Sequence, residues 1–479
     1  MLCKEATVLW MQGSYKWESS TVSSLARSNG VLLQRLNSRD PPQAEEDILA
    51  EGSVCTTAAL LLDKGVLGGF YERYIHTRAH ENWRVLEFVE GFSDDLLGAL
   101  RSTLDGESGM QVEDCIGVGS MYESWRVSKP LVCDLIIPFA PPEPYRFSFQ
   151  LWRGPVNGVP SGRQASGRIL LDSAIENKTS CLCRMANPGE DMLCLLHGPH
   201  TMAKVNILEN LLCSKGTPYL AKEQVIKWFQ IAITKAWGQI SHKYEFELTF
   251  RNLRSPGALK VRFRSGKTII FNLAPVIRFE DSDAYFVSQF TSNVNDSSDT
   301  CWPLSFAVYE KRLLKYLAKR LPENSCHIRC LQIVCFLHKK QTGLTGKTSL
   351  SVYHLKSALL HLLLDKRPLD WSSNHLENRA CDILEFILKS LRKKELRHAL
   401  IGNSRVPKEI GIPPSFIAAE PINLFRPLAL QKHLYTEMEK HFREMVRNAA
   451  VLIQLYSPHL PGGNAPQFRS TDLNHGCHL

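Results

Sequence analysis

The residues able to do chemistry are concentrated between Gly119 and Asp134. Gly119-Ser120 reads as a turn opening a short helix, and Pro130 marks a break. Leu131 to Phe139 (LVCDLIIPF) then reads as a buried strand carrying one carboxylate, Asp134. Glycine lets the backbone approach a phosphate, and the amides at a helix N-terminus favour negative charge. Side chains at i and i+2 of a strand point to the same face. An acid-x-acid pair on such a strand aims two carboxylates at a pair of divalent metals. Two metals clamp the attacking and leaving oxygens of an in-line displacement, which is the chemistry of nucleotidyl transfer. Magnesium wants hard oxygen ligands for that role. Here Val132 stands where the first acid of the pair belongs. The third acid, from a neighbouring strand, falls on Asn272 in FNLAPVIRF (Phe271 to Phe279), a neutral and weaker ligand. One carboxylate in such a frame binds two metals poorly. Without metal chemistry, Asp134 reads as an ordinary strand acid and Gly119-Ser120 as a helix cap, since a Gly-Ser pair alone is a weak motif.

Other residues of chemical interest are less organised. Cys181, Cys183, Cys194 and His197, with His200 and Cys213 nearby, offer ligand types suited to zinc. Their spacing is not that of a standard finger, and packing, pairing and metal binding all remain open for them. Cys326, His327, Cys330, Cys335 and His338 lie on an amphipathic pattern where core cysteines are common. Basic residues cluster at Lys311, Arg312, Lys315, Lys319 and Arg320, and at Lys389, Arg392, Lys393, Lys394 and Arg397. Such runs are ordinarily solvated helix faces; an anionic partner is the alternative. No aromatics interleave them as a single-strand nucleic-acid surface requires.

Positioning these groups takes a sheet and its backing helices. Residues 1–57 are mixed in pattern and contain Ser38 to Pro42 (SRDPP), a loop signal. From Ala58 the spacing is helical, through Leu61, Val66, Tyr71 and Ile75 and on through Trp83, Val89, Phe92, Leu96 and Leu100. Strands are expected over Tyr145 to Trp152, Arg168 to Leu171, Tyr244 to Phe250, Leu259 to Phe263, Thr268 to Leu273 and Tyr285 to Phe290. Arg264-Ser265-Gly266-Lys267 reads as a hairpin turn. Tyr219 to Ile240 is an amphipathic helix with an apolar stripe of Val225, Trp228, Phe229, Ala232, Ile233 and Trp237. The expected organisation is an α/β (α+β) domain over 58–291, a polar linker over 292–300, a helical domain over 301–456 and a tail over 457–479. In the helical part, Leu304 to Leu321, Cys326 to Leu337, Ser351 to Leu364, Leu376 to Leu400 and Leu428 to Leu455 have 3.6-type spacing.

A chain of 479 residues is long enough for two domains or more. Its 44% hydrophobic and 22% charged residues are globular values. The net charge of +9 permits contact with phosphates or an acidic membrane surface without demanding it. The 14 cysteines are scattered, which excludes a small disulfide framework. No span reaches the roughly 18 apolar residues of a membrane-crossing helix, and Ala6 to Met11 is a poor signal peptide.

The run from Gly119 to Asp134 resembles the Gly-Ser-x-x-Glu, Ser-x-Pro and acid-x-Asp run of cyclic GMP-AMP synthase and the Mab-21 family. Further stretches follow in order: Glu190 to His197 (EDMLCLLH), the helix around Lys227-Trp228-Phe229, Trp302 to Ala307 (WPLSFA), Cys330-Leu331-Gln332 and Tyr353 to Lys356 (YHLK). Val406 to Ile410 (VPKEI), Pro413-Pro414 and Glu420 to Phe425 (EPINLF) complete the set. Over roughly Asn82 to Leu430 this set is similar to the inositol 1,4,5-trisphosphate receptor-interacting protein-like branch of Mab-21 proteins. The resemblance implies a nucleotidyltransferase-like domain with a mixed sheet, followed by an all-helical Mab-21-type domain. It places Gly119 and Ser120 on the phosphate turn, Asp134 on the second strand acid, Val132 on the first and Asn272 on the third. It implies a class without established catalysis, described as membrane proteins. The expectation is a catalytically inactive module that binds a protein partner in a membrane receptor complex. Gly119, Ser120 and Asp134 would form a vestigial nucleotide or metal site. No cofactor, nucleic acid or small-molecule substrate is expected. A residual nucleotide sensor or transferase, and a nucleic-acid binder acting through the basic helices, are the alternatives. Membrane association is implied by the resemblance alone; with no evident signal peptide or spanning helix, a cytoplasmic location is the other reading.

Overall fold

A computed structural model describes residues 64–76, 82–127, 131–151, 165–173, 207–250, 258–288 and 299–456. The expected irregular N-terminal segment, the Pro130 break, most of the 292–300 linker and the C-terminal tail lie outside the described residues. So do Cys181, Cys183, Cys194 and His197.

The centre of the fold is a parallel strand pair. β3 (Leu131–Ala140) runs alongside β8 (Thr268–Arg278), in register from Leu131 opposite Ile269 to Pro138 opposite Val276. Both segments are nearly continuous apolar runs, the pattern of strands covered on both faces. Burial along β3 shows where that cover ends. Leu135 to Phe139 are all buried, whereas nearer the start Leu131 and Cys133 are buried and Val132 and Asp134 are only half-buried. The beginning of β3 thus turns one face toward a more open region, and Asp134 sits on it.

Around this pair the described residues form a ten-stranded mixed sheet. β1 (Gln111–Val112) and β2 (Ile116–Val118) pair antiparallel with β3. β6 (Phe246–Phe250) and β7 (Ala258–Phe263) extend the other side of β8 as an antiparallel ribbon. The β7–β8 turn is the expected hairpin: Gly266 takes a left-handed φ of +77°, and Phe263 N donates to Lys267 O at 3.0 Å. β9 (Tyr285–Val287) and β10 (Trp302–Ser305) lead to β5 (Ser166–Ser173) and the edge strand β4 (Tyr145–Leu151). β10 corrects the reading of this stretch as the start of a helix. Its residues WPLS are too few to show a period of their own, and tertiary pairing with Gly167 and Phe286 decides their conformation. Trp302 is fully buried, and its Nε1 donates to Leu220 O at 3.0 Å.

Two long helices back the sheet. α2 (Asn82–Glu107), which follows the short α1 (Lys64–Phe70), buries Val85, Val89, Phe92, Leu96, Leu100 and Leu104, one stripe of a 3.6-residue period. Its Phe92 ring meets Phe271 of β8 at 5.3 Å. α3 (Lys222–Ile240) places Trp228 against Phe139 of β3 at 5.1 Å. Its aromatic stripe packs inward, as the pattern implies, with Trp237 stacked on Phe246.

From Ala307 onward the chain is mostly helical: α4 (Ala307–Ala318), α5 (His327–Thr345), α6 (Val352–Asp365), α7 (Leu376–Lys393) and α8 (Lys432–Tyr456). α5 is buried continuously from Cys330 to His338, the mark of a helix enclosed on all sides. α7 stops at Lys393 rather than near Leu400, because Lys394 turns left-handed with φ +53°. Among the described residues no helix is long and apolar enough to cross a membrane.

Candidate functional site

β2 ends directly above the half-open start of β3, with Val118 opposite Asp134. Gly119 comes next, at φ +77°. A Cβ at Gly119 would lie 2.9 Å from Asp134 Oδ2, so both the backbone angle and the close approach require glycine. Glu123 N then donates to Gly119 O at 3.0 Å, and the amides of Trp125 and Arg126 both donate to Ser120 O at 3.1 Å. The expected short helix after Gly119-Ser120 is absent: Ser120 to Ser124 form a turn. Ser124, at φ +63°, bends the chain out of the helical path before a second turn forms. The anion-attracting end of a helix is therefore not supplied at this point.

The strand positions come together, Val132 and Asp134 as their spacing implies and Asn272 as the resemblance implies. Val132 and Asp134 share the half-buried face of β3, and Asn272 lies directly opposite Asp134 on β8. Asn272 Nδ2 donates to Asp134 Oδ1 at 2.7 Å. Burial raises the Asp134 carboxyl above its usual value; the Asn272 hydrogen bond opposes that and the nearby Glu123 charge adds to it. One oxygen of Asp134 is thus held by an amide, and the other faces Gly119. Toward a pair of magnesium ions this face offers one carboxylate and the neutral Asn272 oxygen, with no donor from Val132, which is a poor ligand set. Among the described residues no group of three or more His, Cys, Asp or Glu side chains is placed to hold a metal.

A second constellation lies directly behind the turn, where the sequence pattern does not flag it. Lys356 of α6 sits between two carboxylates, 2.8 Å from Glu123 Oε1 and 2.9 Å from Glu310 Oε2 of α4. All three side chains are buried, at 4%, 0% and 3% exposure. Glu123 Oε2 accepts from Trp125 Nε1 at 2.6 Å. Glu310 Oε1 accepts from Tyr353 OH at 2.6 Å and faces His398 Nε2 at 3.3 Å. His398 Nδ1 accepts the amides of Leu400 and Ile401, which leaves the ring proton on Nε2, toward Glu310. Burial alone would raise the Glu310 carboxyl, but Lys356, His398 and Tyr353 outweigh it and hold it well below the usual range. For Lys356 burial works against the charge, and the two glutamates overcome it. The signal in the sequence was a lysine inside the mostly apolar run of α6, which the distant acids Glu123 and Glu310 explain.

Further side chains fix the same turn. Lys311 Nζ donates to Gly117 O at 2.7 Å and lies 5.5 Å from the Tyr122 ring. Gln332 Nε2 donates to Arg126 O at 3.2 Å, and its Oε1 accepts from Tyr71 OH at 2.8 Å.

The remaining candidates disperse. Cys213 is a buried thiol whose Sγ lies 3.6 Å from Pro218 O; burial, then Glu209, pushes it up to about 12. Cys326, Cys330 and Cys335 are buried within the α5 core, and Cys330 Sγ donates to Leu376 O at 3.4 Å. The first basic cluster is largely solvated, with Arg312, Lys315, Lys319 and Arg320 exposed; Arg312 pairs with Asp283 at 2.7 Å and donates to Ile410 O, and Arg320 pairs with Glu409 at 3.6 Å. In the second, Lys389 pairs with Glu385 at 2.7 Å, while Lys393 and Lys394 are exposed.

No family model matches the chain. It is similar over nearly its whole length to curated proteins. An inositol 1,4,5-trisphosphate receptor-interacting protein of Danio rerio is 51% identical over 469 residues, 96% of this chain and 86% of the relative. The Homo sapiens protein of the same name is 49% identical over 421 residues, 87% and 77% of the two chains. An inositol 1,4,5-trisphosphate receptor-interacting protein-like 1 of Rattus norvegicus is 31% identical over 455 residues, 92% and 80%. Identity of that extent, carried through both the sheet and the helices, makes the chain a member of the inositol 1,4,5-trisphosphate receptor-interacting protein family.

Proposed function

We propose that this chain is a binding module built on a nucleotidyltransferase-like, Mab-21-type fold that has lost transfer chemistry. The observation that carries this reading is the Asn272–Asp134 hydrogen bond, 2.7 Å, beside Val132. A metal frame needs its carboxylates to converge on cations; here the third position is a neutral amide that donates to the second. The electrostatics behind the turn support the same reading. The ammonium of Lys356 is held by Glu123 and Glu310, and Lys311 is held by Gly117 O, so neither is offered to a phosphate. The expected division into a sheet domain over 58–291 and a helical domain over 301–456 belongs to the same proposal.

The partner is a protein. Relatives are named for interaction with the inositol 1,4,5-trisphosphate receptor, and that receptor or a complex around it is the partner proposed for this chain. Association with a membrane would then come through the partner. Small-molecule substrates, cofactors and nucleic acid have no part in the proposal.

The test uses the intact chain. It should co-purify with the receptor from detergent extracts, equally well with magnesium or a chelator. Incubated with nucleoside triphosphates and magnesium, with or without double-stranded DNA or RNA, it should yield no product. A nucleotide product that Asp134→Ala abolishes would overturn the proposal. A nucleotide-dependent rise in melting temperature that Ser120→Trp removes would favour a sensor instead.

A further inference from the structure

Three successive helices each send a side chain to the end of β2 or to the turn that follows it. Lys311 of α4 donates to Gly117 O, Gln332 of α5 to Ser124 O and Arg126 O, and Lys356 of α6 to Glu123 Oε1. The turn does not hold itself in a regular element: Ser124 sits at φ +63°, and Ser120 O serves two amides. Its geometry is therefore set from outside, chiefly by groups carried on the helices. Lys356 is the buried charged member of that set, and it also grips Glu310 at 2.9 Å. A buried ion pair adds little net stability, because desolvation offsets its attraction; removing one partner strands a buried charge. What Lys356 contributes is position.

The chain of contacts has one end near solvent. Tyr353 is 36% exposed, next to Val352 at 38%, yet its hydroxyl reaches inward to Glu310 Oε1 at 2.6 Å. We infer that Tyr353, Glu310, Lys356 and Glu123 form a coupling clamp through which the surface at Tyr353 controls the Gly119–Arg126 turn. Seated, the tyrosine hydroxyl completes the shell of Glu310, Glu310 fixes Lys356, and Lys356 fixes Glu123. Displacing that hydroxyl leaves Glu310 short of a donor, draws Lys356 toward it and slackens the grip on Glu123. Lys356 is in this sense a positioning residue for the turn. The clamp is independent of which partner the protein binds.

Hydrogen exchange on the full chain tests it. Tyr353→Phe removes one hydroxyl and preserves the ring. A hydrogen bond to a charged group is worth enough to speed opening by about tenfold. The amides of Glu123, Trp125 and Arg126 should exchange faster by that order, with those of β3 and β8 unchanged. Glu310→Gln should do the same, and Lys356→Met should do so more strongly. Cys213→Ala, at a buried thiol on none of the helices that hold the turn, supplies the control and should not single out the turn. Unchanged exchange in the turn of both Tyr353→Phe and Glu310→Gln overturns the inference. So does a rise there that merely follows β3 and β8. If Lys356→Met fails to fold, the other two variants still decide.

Discussion

Asn272 and Asp134 stand directly opposite each other on parallel strands, joined by a 2.7 Å hydrogen bond from Asn272 Nδ2 to Asp134 Oδ1. Two carboxylates in those places repel unless a cation lies between them. An amide and a carboxylate need no cation. The pair is satisfied by its own hydrogen bond, and Val132 on the same face adds no donor.

Restoring the acids should therefore restore the need for a cation. The double variant Val132→Asp, Asn272→Asp places three carboxylates on one open face. Without divalent metal it should melt below the parent, by roughly 1–3 kcal/mol for an uncompensated buried polar group. Added manganese should raise its melting temperature in a concentration-dependent way and leave the parent unmoved. A variant whose melting ignores manganese would show that the strand frame no longer has metal-site geometry.

Gly119 should be intolerant of any side chain. Gly119→Ala combines a left-handed φ of +77° with a 2.9 Å approach to Asp134 Oδ2. The backbone part alone costs about 1–2 kcal/mol. Urea denaturation should show at least that loss. Adding Asp134→Ala should recover only the contact part, since the φ requirement remains. Full recovery in the double variant would assign the whole effect to the contact.

Why some of this was legible in the sequence and some was not follows from range. The shared face of Val132 and Asp134 follows from the two-residue period of a strand, and the β7–β8 hairpin from Gly266, both local rules. The pairing of Asn272 with Asp134 needed the resemblance to suggest it, because register between distant strands is not written in either strand alone. The turn after Gly119 is not a helix because Ser124 turns left-handed, and Gln332 and Lys356, far along the chain, hold its carbonyls and Glu123. β10 is invisible to periodicity for the same reason: four residues carry no period, and their partners on β5 and β9 set them.

Asp134 and Glu310 should respond to pH with opposite sign. Burial raises the folded-state value of Asp134 above its ordinary 3.8. Protonation then favours the folded state, so this contribution is fully present below the ordinary value and is lost as pH rises through the raised one. Glu310 is held below its ordinary 4.5 by Lys356, His398 and Tyr353, despite burial. Its contribution is present above that value and is lost as pH falls through the depressed one. Against the parent, Asp134→Asn should gain relative stability as pH rises, and Glu310→Gln should lose less on acidification. Denaturation midpoints measured across the acid range check both; parallel curves for parent and variants would contradict the assigned signs.

His338 and His441 join α5 to α8 through a contact that tolerates one proton. His338 Nδ1 lies 3.1 Å from His441 Nε2, and His441 Nδ1 lies 3.2 Å from Thr345 Oγ1. One ring nitrogen donates and the other accepts, so charging both rings would set two N–H groups against each other, while burial disfavours charging either one. Burial, then the neighbouring His441, lowers His338 to about 4, and burial lowers His441. For a histidine depressed below its ordinary 6.5, stability is present above that value and is lost as pH falls toward the depressed one. The parent should lose about 2 kcal/mol through His338 between about pH 7 and pH 5. His338→Asn keeps a polar group at the contact and removes the titration. It should start less stable at neutral pH and flatten this part of the acid limb, read from urea midpoints at the two pH values. Equal slopes for parent and variant would contradict a burial-depressed His338.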